Sequence, residues 1–405
     1  MLQLLFQKLK DYVSERTTDN TFFVIPNVPI DFTSNFLKNL DVHKSTGFDG
    51  ISAKLLKLVY NEVAPSLTYI MNISLKAGEF PAQWKTAKVT ALHKNGSTAD
   101  VENYRPISVL PVLSKILEKH VHNTLYQYLT DHDLLVTSQS GFRHKHSCET
   151  ALLNIVNSWT KNIDDGLCTG VVFLDFKKAF DLVDHSVLLQ KLSLYKINQN
   201  SLLWFKSYLD NRTQLVSISG HMSTTCKITH GVPQGSILGP LMFLVFINDL
   251  PLTIRCDTDM YADDSTLSAT GRSLDDINSK LQSDLDNVHS WCVENKMIIN
   301  AKKTKCMCIA SKQKQRRNIL TLDLTLCDES LEQVVRDKLL GVIIDNSLTW
   351  SDHILSILGK IRQKLGLLRR ISQYIPMEGK LNFFRHVFSH ILCIAALCGQ
   401  DAQEI

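Results

Sequence analysis

Met260-Tyr261-Ala262-Asp263-Asp264-Ser265 is the stretch on which the reading of this chain turns. Two adjacent carboxylates stand between short apolar stretches, Met260 and Tyr261 before them and Leu267 just after. Asp is a poor strand residue, so a pair of them inside a strand pattern predicts the tip of a tight hairpin. At such a tip the side chains project into solvent or onto a cation rather than into a core. Paired carboxylate oxygens are the donors that Mg²⁺ prefers. Taken alone, the motif reads as an ordinary acidic β-turn, because short motifs match by chance.

A second block changes that balance. Gly170-Val171-Val172-Phe173-Leu174 is a continuous apolar run, rich in β-branched residues, that ends at Asp175. It predicts a buried strand with a carboxylate at its C-terminal end. The text runs on as Asp175-Phe176-Lys177-Lys178-Ala179-Phe180-Asp181. Strand end and hairpin tip together offer Asp175, Asp263 and Asp264 to two metal ions. Such a pair activates an attacking 3′-hydroxyl and neutralises a leaving pyrophosphate during in-line displacement.

Between the two lies His230-Gly231-Val232-Pro233-Gln234-Gly235-Ser236-Ile237-Leu238-Gly239-Pro240. In order, spacing and residue type the three blocks resemble those of reverse transcriptases. The flanking text is similar to the non-LTR (LINE-type) retrotransposon enzymes near the jockey and CR1 groups, from about Lys44 to about Trp350. The resemblance implies an α/β (α+β) chain with a right-hand polymerase fold of fingers, split-βαβ palm and partial helical thumb. It implies an N-terminal helical extension over 1–73, fingers and palm over 74–345, and a partial thumb with a truncated C-terminus over 346–405. The implied activity is RNA-directed DNA polymerisation: a primer 3′-hydroxyl extended with dNTPs on an RNA template, with two Mg²⁺ ions for which Mn²⁺ is a possible substitute. In the family the DNA primer is a nicked genomic 3′ end, so an endonuclease is expected in trans or lost. The rival reading is a catalytically inactive, truncated relic that only binds nucleic acid. A host polymerase such as a telomerase is disfavoured, since no added RNA-binding domain is visible.

Composition agrees without deciding. The chain has 405 residues, 44% hydrophobic and 21% charged, enough for a sizeable core and more than one subdomain. A net charge of +4 permits a polyanionic partner without demanding one. Basic clusters at Arg143–His146, Lys302–Lys305 and Lys312–Arg317 read singly as solvated faces. The cysteines are scattered with no C-x-x-C pair, which argues for reduced thiols rather than a disulfide frame or zinc site. No signal peptide is visible, and the apolar run Ile391–Leu397 is too short to span a bilayer. The expected location is therefore intracellular, nuclear or cytoplasmic.

Outward from the motifs, helical periodicity predicts amphipathic helices over 2–13, 52–60 and 65–76, with a glycine-punctuated turn at 44–51 that resembles the family's N-terminal extension. Alternation over Lys88–Lys94 predicts a strand. By resemblance Lys94 and Arg105 reach the incoming triphosphate; the alternatives are a solvated loop lysine and a structural ion pair. Ser138–Arg143 resembles a loop that contacts template. The stripe Ala151, Leu152, Ile155, Val156, Trp159, Ile163 predicts a core helix beneath the palm sheet. Phe180 by family spacing lies under the nucleotide sugar and excludes a 2′-hydroxyl; its alternative is a core phenylalanine on a helix. The N–H groups from Phe176 to Ala179 are expected to face the triphosphate. His185–Cys226 reads as a helical insert with Trp204, Phe205 and Tyr208 in its core. Gln234 and Gly235 form a loop at the nucleotide, ahead of an apolar helix over 241–247. A long helix follows over 274–292. One of Lys302, Lys303 and Lys305 is a candidate general acid for pyrophosphate, with no choice among them. Leu339–Asp345 resembles a strand that grips the primer, and 354–370 a basic thumb helix whose DNA affinity is salt-sensitive. The tail Cys393–Gly399 departs from the family pattern.

Overall fold

The computed structural model describes residues 2–385 apart from 95, 219 and 318. The expected thumb extends past this range, and the tail at 393–399 lies outside the described residues. In chain order the first elements are α1 (Leu2–Ser14), α2 (Ile30–Lys38), α3 (Ala53–Leu58), α4 (Tyr60–Ala77), β1 (Thr86–His93), β2 (Tyr104–Val109) and α5 (Val112–Asp131). Then come α6 (Cys148–Asp164), β3 (Cys168–Leu174), α7 (His185–Leu194), α8 (Gln199–Leu209), β4 (Arg212–Ile218), β5 (His221–Met222) and β6 (Cys226–Ile228). The remainder is α9 (Gly239–Ile247), β7 (Asp257–Tyr261), β8 (Asp264–Gly271), α10 (Leu274–Glu294), β9 (Lys305–Ile309), α11 (Lys312–Arg317), β10 (Thr325–Leu326), β11 (Glu329–Ser330), β12 (Glu332–Gln333), β13 (Arg336–Leu339), β14 (Val342–Asp345) and α12 (Ser351–Ile371).

These elements form two compact units, each assembled from separated stretches of chain. One comprises Met1–Thr137, Phe176–Thr253 and Ser290–Ile298; the other comprises Ser138–Asp175, Ile254–His289 and Ile299–Ile405.

The first unit holds a mixed sheet in the order β2-β1-β4-β5, with β6 also on β4. β1 runs antiparallel to β2 and parallel to β4. Apolar α9 is buried at every position but Pro240, as its sequence requires. Beside it the ammonium of Lys191 meets Asp249 at 2.7 Å, and both are buried. The indole N–H of Trp291 donates to the same Asp249 carboxylate at 3.0 Å. Trp204, Phe205 and Tyr208 are fully buried core residues of α8. Two expectations are corrected. The helix expected from Pro65 begins at Tyr60, so Pro65 sits inside α4 at the cost of one backbone bond. The end of the insert expected to be helical up to Cys226 instead carries β4, β5 and the start of β6: Arg212–Ile218 is rich in β-branched residues and gains a parallel partner in β1 that sequence separation hides.

The second unit is built on a sheet in the order β12-β9-β3-β8-β7. Central β3 is almost entirely buried, which explains its unbroken apolar text. On one face α6 and the β13–β14 hairpin close a core of Leu152, Ile155, Trp159, Val171, Met307, Ile309, Leu339, Val342 and Ile344. On the other, Ile277 and Leu281 of α10 close over Gly170. Leu339–Asp345 is not one strand. Leu340 and Gly341 adopt φ of 47° and 94° and turn β13 back into β14, the positive-φ pattern that matches hairpin twist. The basic helix α12 forms as expected, but buries only His353 and Ile357 of its length.

Candidate active site

The acidic residues gather at one end of the second unit's sheet for reasons of register. Tyr261 pairs with Asp264, leaving Ala262 and Asp263 as the two-residue tip of the β7–β8 hairpin. Leu174 pairs with Ser265 on the neighbouring strand. The next position along therefore sets Asp175 beside Asp264, and directly opposed residues in such a pair stand about 5 Å apart at Cβ.

The surroundings of Asp175 are specific. Its carboxylate accepts a bond from Asn300 Nδ2 at 2.9 Å, and its carbonyl oxygen accepts the Asn300 N–H at 2.8 Å. Its own N–H donates to Oγ1 of fully buried Thr304 at 3.2 Å. Asp264 is exposed along one side. Partial burial, and then the charges of Asp263 and Asp175, push its carboxyl up to about 6. Asp264 thus lies within electrostatic reach of both Asp263 and Asp175. Asp259, on the same strand face as Tyr261, is likewise raised to about 6 by burial and the charge of Asp257. Of the lysines singled out as acids, Lys305 pairs with Asp337 at 3.4 Å, while Lys302 and Lys303 are exposed.

Among the described residues, no three His, Cys, Asp or Glu side chains already stand as a closed metal-binding group. The donor set nevertheless suits a hard divalent cation, being all carboxylate oxygen and mutually repelling. A cation placed among such groups relieves the repulsion that raises Asp264.

The remaining site residues lie in the first unit. Leu92 pairs with Arg105, and the Lys94 N–H donates to the Asn103 carbonyl at 2.8 Å. Lys94 and Arg105 are thus exposed neighbours on one face at the end of the β1–β2 hairpin. No described acidic side chain forms an ion pair with Arg105. Phe176 is buried edge-on against Trp291. Phe180 is half-buried and stacks on Phe243 of α9 at 4.3 Å. The chain between them turns with Lys178 at φ 45° instead of forming a helix. The Lys177 N–H donates to the Ile298 carbonyl at 2.8 Å, so the expected row of phosphate-facing N–H groups is interrupted there.

Gln234 is held from two sides. Its carbonyl accepts the Ser108 N–H and its Nε2 donates to Asp181, each at 2.8 Å. Gly235 has φ 117°, and a Cβ on it would lie 2.3 Å from the Ser108 oxygen. Only glycine fits there. Fully buried Glu118 accepts the Ile237 N–H at 2.8 Å and fixes the end of the same loop, with its carboxyl raised by burial.

Asn300, Thr304, Gln139 and Glu118 carry positions that sequence reasoning did not single out. Asn300 and Gln139 stand inside or beside family-like blocks, a usable signal. Glu118 stands in an unremarkable helix and offers none.

Residues 92–344 match the family model described as reverse transcriptase (RNA-dependent DNA polymerase). The chain belongs to the reverse transcriptase family. The reverse transcriptase match starts within β1 and ends within β14, so it encloses every acidic residue of the sheet end. The RNA-directed DNA polymerase from mobile element jockey of Drosophila melanogaster is 32% identical over 364 residues, covering 88% of this chain and 39% of that protein. A probable RNA-directed DNA polymerase from transposon BS of the same species is 31% identical, covering 82% and 37%. The Pol polyprotein from the type-1 retrotransposable element R1 of Bradysia coprophila is 26% identical, covering 85% and 34%. The chain is therefore a non-LTR, jockey-like member of the family and spans less than half the length of these relatives. No helix among the described residues is long and apolar enough to cross a membrane.

Proposed function

We propose that this chain is the polymerase portion of a non-LTR retrotransposon protein and extends a primer 3′-hydroxyl with dNTPs on an RNA template. The observation that carries the reading is the strand register that brings Asp175 beside the Asp263–Asp264 hairpin tip at one sheet end. In this proposal the sheet of the second unit with α6 and α10 serves as palm, the β1–β2 hairpin belongs to the fingers, and α12 begins the thumb. The three aspartates would hold two Mg²⁺ ions, or Mn²⁺ in their place. Ions bound there would lower the pKa of the attacking 3′-hydroxyl and neutralise charge on the leaving pyrophosphate.

Every other role falls to the chain. Asn300 orients the Asp175 carboxylate. Partial burial and the charges of Asp263 and Asp175 raise the Asp264 carboxyl, and a bound cation would favour its ionised form. Lys94 offers a point charge and Arg105 a forked donor to the triphosphate. Phe180, backed by Phe243, presents a ring beneath the sugar and excludes a 2′-hydroxyl, while Phe176 is buried against Trp291. Gly235 lets backbone approach the nucleotide, and Gln234, its amide N–H held by Asp181, offers its amide oxygen. Partners in this reading are RNA template, DNA primer and dNTPs, with the nick made by an endonuclease activity.

Primer extension on poly(rA)–oligo(dT) tests it. The expected result is Mg²⁺-dependent dTTP incorporation that falls at least about a thousandfold in Asp263→Asn, the scale of losing a main electrostatic contributor. Duplex binding without incorporation by the wild type supports the relic reading instead.

A further inference from the structure

We propose that Gln139 is a positioning residue that holds the Asp263–Asp264 turn in its working shape. The proposal rests on the metal-site reading above and adds to it a side chain that touches no metal.

The turn needs holding. Ala262, its first residue, has φ 60°. That left-handed conformation is unfavourable for a residue with a Cβ, and glycine, asparagine or aspartate usually occupies such hairpin positions. Strained backbone persists only where its surroundings over-determine it.

Gln139 supplies that determination. Its Oε1 accepts the Ala262 N–H at 2.9 Å, and its Nε2 donates to the Ala262 carbonyl at 3.2 Å. The same Oε1 accepts the Gly141 N–H at 2.7 Å. Both polar groups of the strained residue are thus tied to one amide that is only 2% exposed. Ala262 is itself buried, so losing those bonds leaves buried polar groups unpaired. A neutral amide is also the right chemistry. It donates and accepts at once, whereas Glu would only accept and would add negative charge beside Asp263 and Asp264.

The segment carrying Gln139 is itself registered on the hairpin. Met260 N–H donates to the Ser138 carbonyl, and Ser140 N–H to the Met260 carbonyl, each at 2.8 Å. Two residues on, a Cβ at Gly141 would lie 2.1 Å from the Ala262 nitrogen. The expected template-contacting loop is therefore packed directly on the acidic tip. Covering an edge strand requires only the backbone bonds of Ser138 and Ser140; the Gln139 amide does something further.

The test compares wild type with Gln139→Met, which keeps the length and removes every hydrogen bond. Amide exchange is followed by mass spectrometry in peptides covering 260–266 and 168–174, without metal or nucleic acid. Mn²⁺ binding is measured by calorimetry, and primer extension is titrated with Mg²⁺. The expected result is exchange at least about tenfold faster in 260–266 with 168–174 unchanged. Mn²⁺ affinity and apparent Mg²⁺ affinity should each fall about tenfold, the usual scale for supporting groups behind metal ligands. kcat should drop while KM for dNTP stays within about twofold. Unchanged local exchange, or exchange that rises everywhere in step with a lowered Tm, overturns the proposal. If the wild type incorporates no nucleotide, the polymerase reading fails, and exchange with metal binding still judges Gln139. If Gln139→Met does not fold, Gln139→Asn, which retracts the amide by one methylene, is expected to show the same selective rise, and its absence overturns the proposal.

Discussion

Asp264 shows how one residue can be weak in isolation and useful in company. Its carboxyl is raised from 3.8 to about 6, so the folded protein binds more protons than the unfolded chain between those values. Stability from this group is therefore greatest at low pH and declines as pH rises through about 6. Asp264→Asn should raise Tm relative to wild type at pH 7.5 without divalent cations and make little difference at pH 3.5; thermal melts across that range check it. If the chain polymerises as proposed, activity at limiting Mg²⁺ should fall as pH drops toward and below about 6, where protonation of Asp264 competes with cation binding. Phe180 carries a second residue-scale prediction. Phe180→Val should raise ribonucleotide incorporation relative to dNTP by at least about tenfold, within the 1–3 kcal/mol that pocket shape commands; competitive incorporation assays measure it.

At the scale of elements, hydrophobic period carries most of the information. The stripe of α6 is legible because Ala151, Leu152, Ile155 and Trp159 are buried on one side. Trp159→Ala should cost about 3–5 kcal/mol by denaturant unfolding, as for other large core truncations. The strand ending at Asp175 is legible because both its faces are covered. The sheet of the first unit is not. β1 and β4 are parallel neighbours more than a hundred residues apart, and no local pattern records such a pairing. The β13–β14 hairpin reads as one strand because Leu340-Gly341 looks apolar and continuous, while its turn depends on backbone angle.

For the molecule as a whole, buried and exposed charge play opposite parts. Lys191 and Asp249 are fully buried partners. Lys191→Ala strands a carboxylate in the core and should cost about 3–5 kcal/mol, measured by equilibrium unfolding. On α12, by contrast, Lys360, Arg362, Lys364, Arg369 and Arg370 are exposed. If α12 follows a duplex backbone, replacing Lys360, Arg362 and Lys364 by Gln should lower the slope of log K against log salt by about 0.9 for each phosphate that is no longer neutralised. An unchanged slope in a binding titration would remove α12 from the nucleic-acid surface.

The amino-acid sequence by itself determined that an acidic hairpin tip and an acidic strand end exist, because turn chemistry and apolar period are local. It determined the family, because three motifs in order outweigh chance. Only the tertiary structure decided that Leu174 opposes Ser265, and so that Asp175 stands beside Asp264. Only there does Gln139, more than a hundred residues earlier, meet the peptide of Ala262. Register and long-range hydrogen bonds depend on which surfaces pack together, and that is a property of the folded chain and not of any stretch within it.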